Sequence, residues 1–289
     1  MVRNKILFQL VGLYLLSILI AGCAGNQSSP TPTLQTSTNS PASITRINIT
    51  EELYIRQIRE DVFEVIHSFP WPANSLIVEM ANSDLVLVGT PYTPDAMNDV
   101  LSWILARWGK RKIIEINTGY HVDNLGGNSA LIEQGIPVYG SDLTIQLLKE
   151  RGEETRKEIL DMLKGETTKR YYRAHTEIPY IAPNQLFSIT KGLRLQFGND
   201  EVIVYYPGPS HAPDNVVVYF PSMKVLFGGC MILGGDQIGN TLDADLNNWP
   251  EAIRKLKQFE VEIVVPGHGD RIDPGLIDHT IALLTVVSG

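Results

Sequence analysis

The chain has 289 residues, 44% of them apolar and 19% charged, so it can bury a core and is not a disordered segment. Lys and Arg number 24 against 32 Asp and Glu, a formal net charge of −8 that excludes nucleic acid as a partner, because phosphate contacts need a basic face. Two cysteines are too few for a disulfide scaffold.

Arg3 and Lys5 precede a mostly apolar run from Ile6 to Ile20 that ends in Ala21-Gly22-Cys23. Residues 1–22 read as an export signal, and the small-small-Cys ending reads as a lipoprotein processing site at which Cys23 is acylated and anchored to the membrane. An uncleaved membrane helix is disfavoured, since the run is shorter than about 18 residues. Either way the remainder is exported, to the periplasm or another extracytoplasmic space. Removing residues 1–22 takes out Arg3 and Lys5 and no acid, which moves the net charge to −10.

Residues 23–43 are mostly Ser, Thr, Pro, Asn and Gln and have too little to bury to offset ordering, so they read as a flexible tether. The folded part spans 44–289 with no second linker, and one domain and a monomer are expected. With Cys23 taken by the signal, Cys230 is a lone thiol in an oxidising compartment. Such a thiol is either buried and inert or held by a metal.

Apolar or alternating runs at 53–58, 62–67, 75–80, 85–88 and 112–116 predict strands, most of them antiparallel neighbours joined by tight turns. Before the last of these, Thr93 caps a helix, Pro94 suits its first turn and Asp95 complements its dipole. Met97, Val100, Leu101, Ile104 and Leu105 form its apolar face, and Gly109 closes it. A short strand at 136–139 leads to Ser141, which caps a long helix running to about Leu163 and overhanging whatever lies beside it. Strand signals resume at 186–189, 193–197, 202–206, 216–220 and 225–227, followed by a helix near 249–259, a strand at 263–265 and a terminal helix from Pro274. Two runs of strands punctuated by helices predict two sheets packed face to face with helices outside.

Metal-type ligands stand where these strands end. His121 and Asp123 follow 112–116, His211 follows 202–206, Cys230 follows 225–227, and His268 follows 263–265. Sulfur, nitrogen and oxygen donors together suit zinc, and three protein ligands with one open position describe a catalytic ion. Taken singly, such residues are more often structural. His67, His175 and His279 read as satisfied polar residues, Phe69 and Trp71 as core or turn residues at least as readily as pocket walls, and 149–157 as a solvated helix face. The five together have no common structural reason.

From about Ile58 onward the chain resembles the metallo-β-lactamases, zinc hydrolases with an αββα sandwich of two mostly antiparallel sheets flanked by helices. The matching motifs are Thr118-Gly119-Tyr120-His121-Val122-Asp123-Asn124-Leu125-Gly126-Gly127-Asn128, Gly208-Pro209-Ser210-His211-Ala212-Pro213-Asp214-Asn215, Phe227-Gly228-Gly229-Cys230-Met231-Ile232, Ile238-Gly239-Asn240 and Val265-Pro266-Gly267-His268-Gly269. In di-zinc members a His opens the turn; here it is Gly119, which leaves His121 and His211 as a weak or absent second site. Gly89 in place of a buried Asp, the short segment between Val65 and Asn74, Leu276-Ile277-Asp278-His279 and the long helix after Ser141 resemble the mono-zinc carbapenemase subclass, which carries Asn where this chain has Gly119.

The resemblance implies that Asp123, Cys230 and His268 hold one catalytic zinc, and that His121 and His211 stay beside it without metal. It also implies that His121 activates a water, with Asp123 the second candidate for that role, and that Asn240 meets the carbonyl or carboxylate of a β-lactam, carbapenems first among them. Leu233 stands where a Lys usually pairs with the lactam carboxylate, and Asn124 where an Arg is frequent. A lost charge-assisted hydrogen bond costs about 1.5 to 3 kcal/mol. Two further readings stay open: a hydrolase of another amide, ester or lactone on the same fold, and a zinc-binding lipoprotein without activity. Glyoxalase-like and phosphodiesterase-like relatives are disfavoured, because they usually place His after the Asp of the turn and Asp where Cys230 stands.

Overall fold

The computed structural model describes residues 45–288; the expected export signal, Cys23, the tether and Ile44 lie outside the described residues. The first sheet has eight strands in chain order: β1 (Thr45–Asn48), β2 (Leu53–Gln57), β3 (Val62–Ser68), β4 (Pro72–Glu79), β5 (Leu85–Val88), β6 (Ile113–Ile116), β7 (Val138–Ser141) and β8 (Gln185–Phe187). Pairing is antiparallel from β1 to β5 and parallel from β5 to β8. The second sheet runs β13-β12-β11-β10-β9, built from β9 (Leu193–Phe197), β10 (Asp200–Tyr205), β11 (Val217–Phe220), β12 (Val225–Leu233) and β13 (Ile263–His268). Only its β12–β13 pair is parallel.

Both faces of both sheets are covered. In β5, Val86 and Val88 join Val218, Phe220 and Phe227 in the core between the sheets, while Leu85 and Leu87 point outward with Met97 and Ile104 of α1 (Pro94–Trp108). Period-two side-chain alternation on a strand buried on both sides requires such a continuous apolar run. On the far side, Val217, Leu226 and Val264 pack with Trp249 of α6 (Trp249–Lys255) and Leu276 of α7 (Leu276–Ser288). The αββα sandwich is therefore as expected. Helix α1 carries the cap read from the sequence, the Thr93 side chain accepting from Ala96 N at 3.1 Å. Leu105, read onto its buried face, is 55% exposed, because the apolar face is already complete with Met97, Val100, Leu101 and Ile104.

Four local expectations change. Strand β1 pairs onto β2 although its residues are nearly all exposed and show no apolar run. The turn after β6 winds into two short helices, α2 (Val122–Leu125) and α3 (Asn128–Glu133). Strand β8 joins the first sheet beside β7 and does not begin the second run. Strand β12 does not stop at Phe227 but continues through irregular register to Leu233, so Cys230 lies within a strand and not after one.

Between β7 and β8 the chain forms α4 (Asp142–Met162), one unbroken helix of 21 residues, capped by Ser141, and the short α5 (Tyr172–Glu177). The second half of α4 overhangs the cavity described next.

Candidate metal centre

Helix α2 begins at His121 as its N-cap and puts Asp123 in its first turn, β12 contributes Cys230, and β13 ends on His268. Their donor atoms converge. Cys230 Sγ lies 3.3 Å from Asp123 Oδ2 and 3.8 Å from His268 Nε2, and His268 Nε2 lies 3.1 Å from Asp123 Oδ2. Tetrahedral zinc with ligand bonds of about 2.0 to 2.3 Å separates its donors by roughly 3.3 to 3.8 Å; two of the three spacings fall in that range and the His268–Asp123 one lies just below it. Among the described residues this is the one group of three such donors within 4.8 Å of one another.

The surroundings orient each donor. His268 Nδ1 lies 2.6 Å from Pro72 O, and since a carbonyl only accepts, Nδ1 carries a proton; Nε2 bonds Asp123 Oδ2, and a bound cation would take its lone pair instead. Asn124 donates its amide to Asp123 Oδ1 at 3.1 Å and to Cys230 Sγ at 3.6 Å, while its own oxygen accepts from Thr118 Oγ1 at 2.5 Å. The position where an Arg is frequent thus holds a neutral donor to two side chains of the cluster. Asn74 on β4 donates to Pro266 O at 3.1 Å and Gly269 O at 2.8 Å, gripping the loop on both sides of His268.

Burial works to raise the Asp123 carboxyl, but the hydrogen bond and charge of His268, with His121 and His211 adding, hold it far below the carboxylate range. Burial, then the Asp123 charge, pushes the Cys230 thiol up despite the bonds from His268 and Asn124. A free thiol there keeps its proton, and a bound cation is what would draw it off.

His121 and His211 stand beside this cluster, their rings 5.5 Å apart and nearly perpendicular. His121 Nε2 lies 2.8 Å from Asp243 Oδ2, the atom that also accepts from the Tyr120 hydroxyl at 2.5 Å. Burial would lower the His121 pKa, but the Asp243 bond and the Asp123, Asp214 and Asp243 charges raise it. The His121 hydrogen bond holds Asp243 down at about 2 despite its own burial. Asp243 is therefore ionised and can only accept, which puts the proton of neutral His121 on Nε2. His211 is the opposite case: burial and the neighbouring His121 push it down to about 3, and its Nδ1 is buried without a partner. It stays a neutral imidazole.

All five residues face one cavity of about 710 Å³, also lined by Trp71, Ile159, Met162 and Leu233. Asn240 lies on its exposed rim, its Oδ1 accepting from Leu242 N at 3.1 Å. Phe69 turns away from it to stack with His67 and His175. Of the three histidines set aside in the sequence, His67 Nδ1 accepts from Tyr92 N and His279 bonds the carbonyl of Gly235, whereas His175 Nε2 bonds Phe69 O and its Nδ1 is buried without a partner. Sequence reading missed Asp243 and Asn74. Asp243 follows Asn240 by three residues in an irregular loop, and Asn74 is one polar residue in a buried strand; neither position has a pattern to mark it.

The Metallo-beta-lactamase superfamily profile matches residues 69–268. A metallo-beta-lactamase type 2 of Bacillus cereus is 32% identical over 217 residues, spanning 74% of this chain and 73% of the relative. Another from Bacteroides fragilis is 28% identical over 244 residues, 81% of this chain and 86% of the relative. The solved metallo-beta-lactamase from Pontibacter korlensis aligns with a TM-score of 0.66 at 31% identity, covering 81% of this chain and 99% of that one.

Proposed function

The chain belongs to the metallo-beta-lactamase superfamily and is a β-lactamase-type metallohydrolase, and from that premise we propose that it opens the lactam amide of β-lactam antibiotics, carbapenems first, with a single tightly held zinc. We place it outside the cytoplasm as a monomer, tethered through acylated Cys23. The convergence of Asp123, Cys230 and His268 at the wall of an apolar cavity carries the reading.

Zinc on these ligands supplies Lewis-acid stabilisation of negative charge. The chain's own residues do the rest. His121 presents Nδ1, which makes no hydrogen bond within the described chain, and takes the proton of the attacking water there, while Asp243 holds Nε2–H and steadies the imidazolium. The water oxygen bonds to the lactam carbonyl carbon, the carbon–nitrogen bond breaks, and His121 returns the proton to the nitrogen. Asp123 is a poor base, since its carboxylate is held so far down. The Asn240 amide nitrogen, its oxygen already used, is free at the rim to hold a substrate oxygen.

One observation favours a second reading, hydrolysis of another amide, ester or lactone. Among the described residues no Lys or Arg lines the cavity, Leu233 stands in its wall, and Glu158, Asp236 and Asp270 add negative charge where a lactam carboxylate would approach. Zinc-loaded protein incubated with imipenem separates the two by loss of the lactam absorbance. Turnover supports the first, hydrolysis of simple esters or lactones alone supports the second, and bound zinc with no hydrolysis defeats both. Two equally tight zincs per chain would refute the single-metal part, and Cys23→Ser protein that still fractionates with membranes would refute the anchor.

A further inference from the structure

Tyr92 lies in the link between β5 and α1, is 4% exposed, and lines the metal cavity. Its ring is held on one side by an aromatic stack. His67 and His175 meet it edge-on with centroids at 5.8 Å, and Phe69 lies tilted at 6.3 Å. That stack is itself tied, because Tyr92 N donates to His67 Nδ1 at 3.2 Å and His175 Nε2 bonds Phe69 O at 2.8 Å. On the other side, the Tyr92 carbonyl approaches the ligand turn so closely that a Cβ on Gly126 would stand 2.0 Å from it. Thr90 fastens the same segment, its N–H bonding Asn124 O at 3.1 Å and its Oγ1 accepting from Gly127 N at 2.9 Å. The residue cannot swing without moving the turn that carries Asp123.

Its hydroxyl nevertheless makes no hydrogen bond with any described residue. A buried tyrosine normally finds a partner for its O–H, because leaving that group unpaired costs about 1 to 3 kcal/mol. Tyr92 lines the same cavity as Asp123 and Cys230. The wall on which it sits offers no Lys or Arg as a donor.

We propose that the Tyr92 hydroxyl is a catalytic hydrogen-bond donor to the carbonyl oxygen of the scissile bond as that oxygen gains negative charge. The inference rests on the hydrolase reading above. Tyr92 forms no bond to substrate and keeps its proton; the donor is already held in place and costs no reorganisation when the charge appears.

Tyr92→Phe removes one oxygen and no internal hydrogen bond. Thermal midpoint and zinc content should match wild type, while kcat on any lactam that wild type opens falls at least tenfold, toward the roughly 10²–10³ range of single oxyanion donors, with KM within about twofold. An unchanged kcat overturns the proposal. So does a raised KM with kcat intact, which would make Tyr92 a uniform binder of the substrate carboxylate. Wild-type turnover tests the reading and the variant-to-wild-type ratio tests the donor. If wild type cleaves only esters or lactones, the same loss of kcat is required there, and a wild type that hydrolyses nothing overturns both.

Discussion

Asn74→Ala probes whether the metal ligands are held by hydrogen bonds from outside their own loops. One side-chain amide, 5% exposed, donates both of its protons, to Pro266 O in a buried contact and to Gly269 O in a part-buried one. Stranding a buried acceptor costs about 1 to 3 kcal/mol and losing a part-solvated bond about 0.5 to 1.5, so the apo variant should be about 1.5 to 4.5 kcal/mol less stable. That is a large part of the roughly 5 to 15 kcal/mol that holds a domain together. His268 lies between those two carbonyls, and loss of outer support typically lowers metal affinity about 10- to 100-fold. Urea unfolding in chelator gives the first number, and competition with a zinc-binding dye gives the second. Asn74→Asp keeps the size but cannot donate, so it should lose at least as much. An alanine variant within about 0.5 kcal/mol and twofold of wild type, or an aspartate variant equal to wild type, would refute the reasoning.

Cys230→Ser should bind zinc at least about 100-fold more weakly, because a hydroxyl replaces the only sulfur donor of the cluster; a dye titration matching wild type would contradict the ligand assignment. Gly119→His should not build a second tight metal site, since a Cβ there would stand 2.6 Å from Asn215 Nδ2, and the Asn215 oxygen is held by Ala212 N at 2.8 Å. Zinc counting that finds two tight ions in that variant would defeat the steric argument. Glu115 is fully buried, and burial pushes its carboxyl well above the ordinary value of 4.5 despite donors from Asn117 and Gly89. The folded state therefore keeps this proton longer than the unfolded chain, and stability that is complete below about pH 4.5 is lost as pH rises. Glu115→Gln should gain on wild type by up to about 1.4 kcal/mol per pH unit above that point. Parallel urea midpoints for the two proteins at pH 5 and pH 8 would rule this out.

How much could be read in advance differs by element for physical reasons. Leu85–Val88 and the Thr93 cap were legible because burial on both faces and an orphan amide at a helix start each demand particular residues locally. The convergence of Asp123, Cys230 and His268 was legible as chemistry, since their donor types have few other uses together. Cys230 was misplaced within its element because Gly228-Gly229 reads as a break, whereas the chain passes through an irregular register with Gly229 at φ 54 and resumes the strand. Thr45–Asn48 pairs with β2 through its backbone and an Arg46–Tyr54 ring contact, with Ile47 its one apolar residue, and that pattern leaves no apolar run. Asp243 and Asn74 act by reaching across the fold, and no local pattern encodes a reach of that kind.

The distances in sequence explain why ligands and supports differ in this way. Asp123 is 107 residues from Cys230 and 145 from His268, so the cluster exists only once both sheets are packed together. The donors then have to be held to within a few tenths of an ångström by other groups: Pro72 O and Asn74 from β4 at His268, and Asn124 from α2 at Asp123 and Cys230, while Asp243 from the loop beyond β12 holds His121 beside them. A donor is constrained by the element it needs and by the metal it serves, and only a few residue types satisfy both. A support is constrained by one distance to one carbonyl or ring nitrogen, which a different residue on a neighbouring strand could equally span. The first constraint writes a motif into the chain and the second does not, so the clustered donors are visible in the sequence while the groups that tune and aim them emerge only with the packed sandwich.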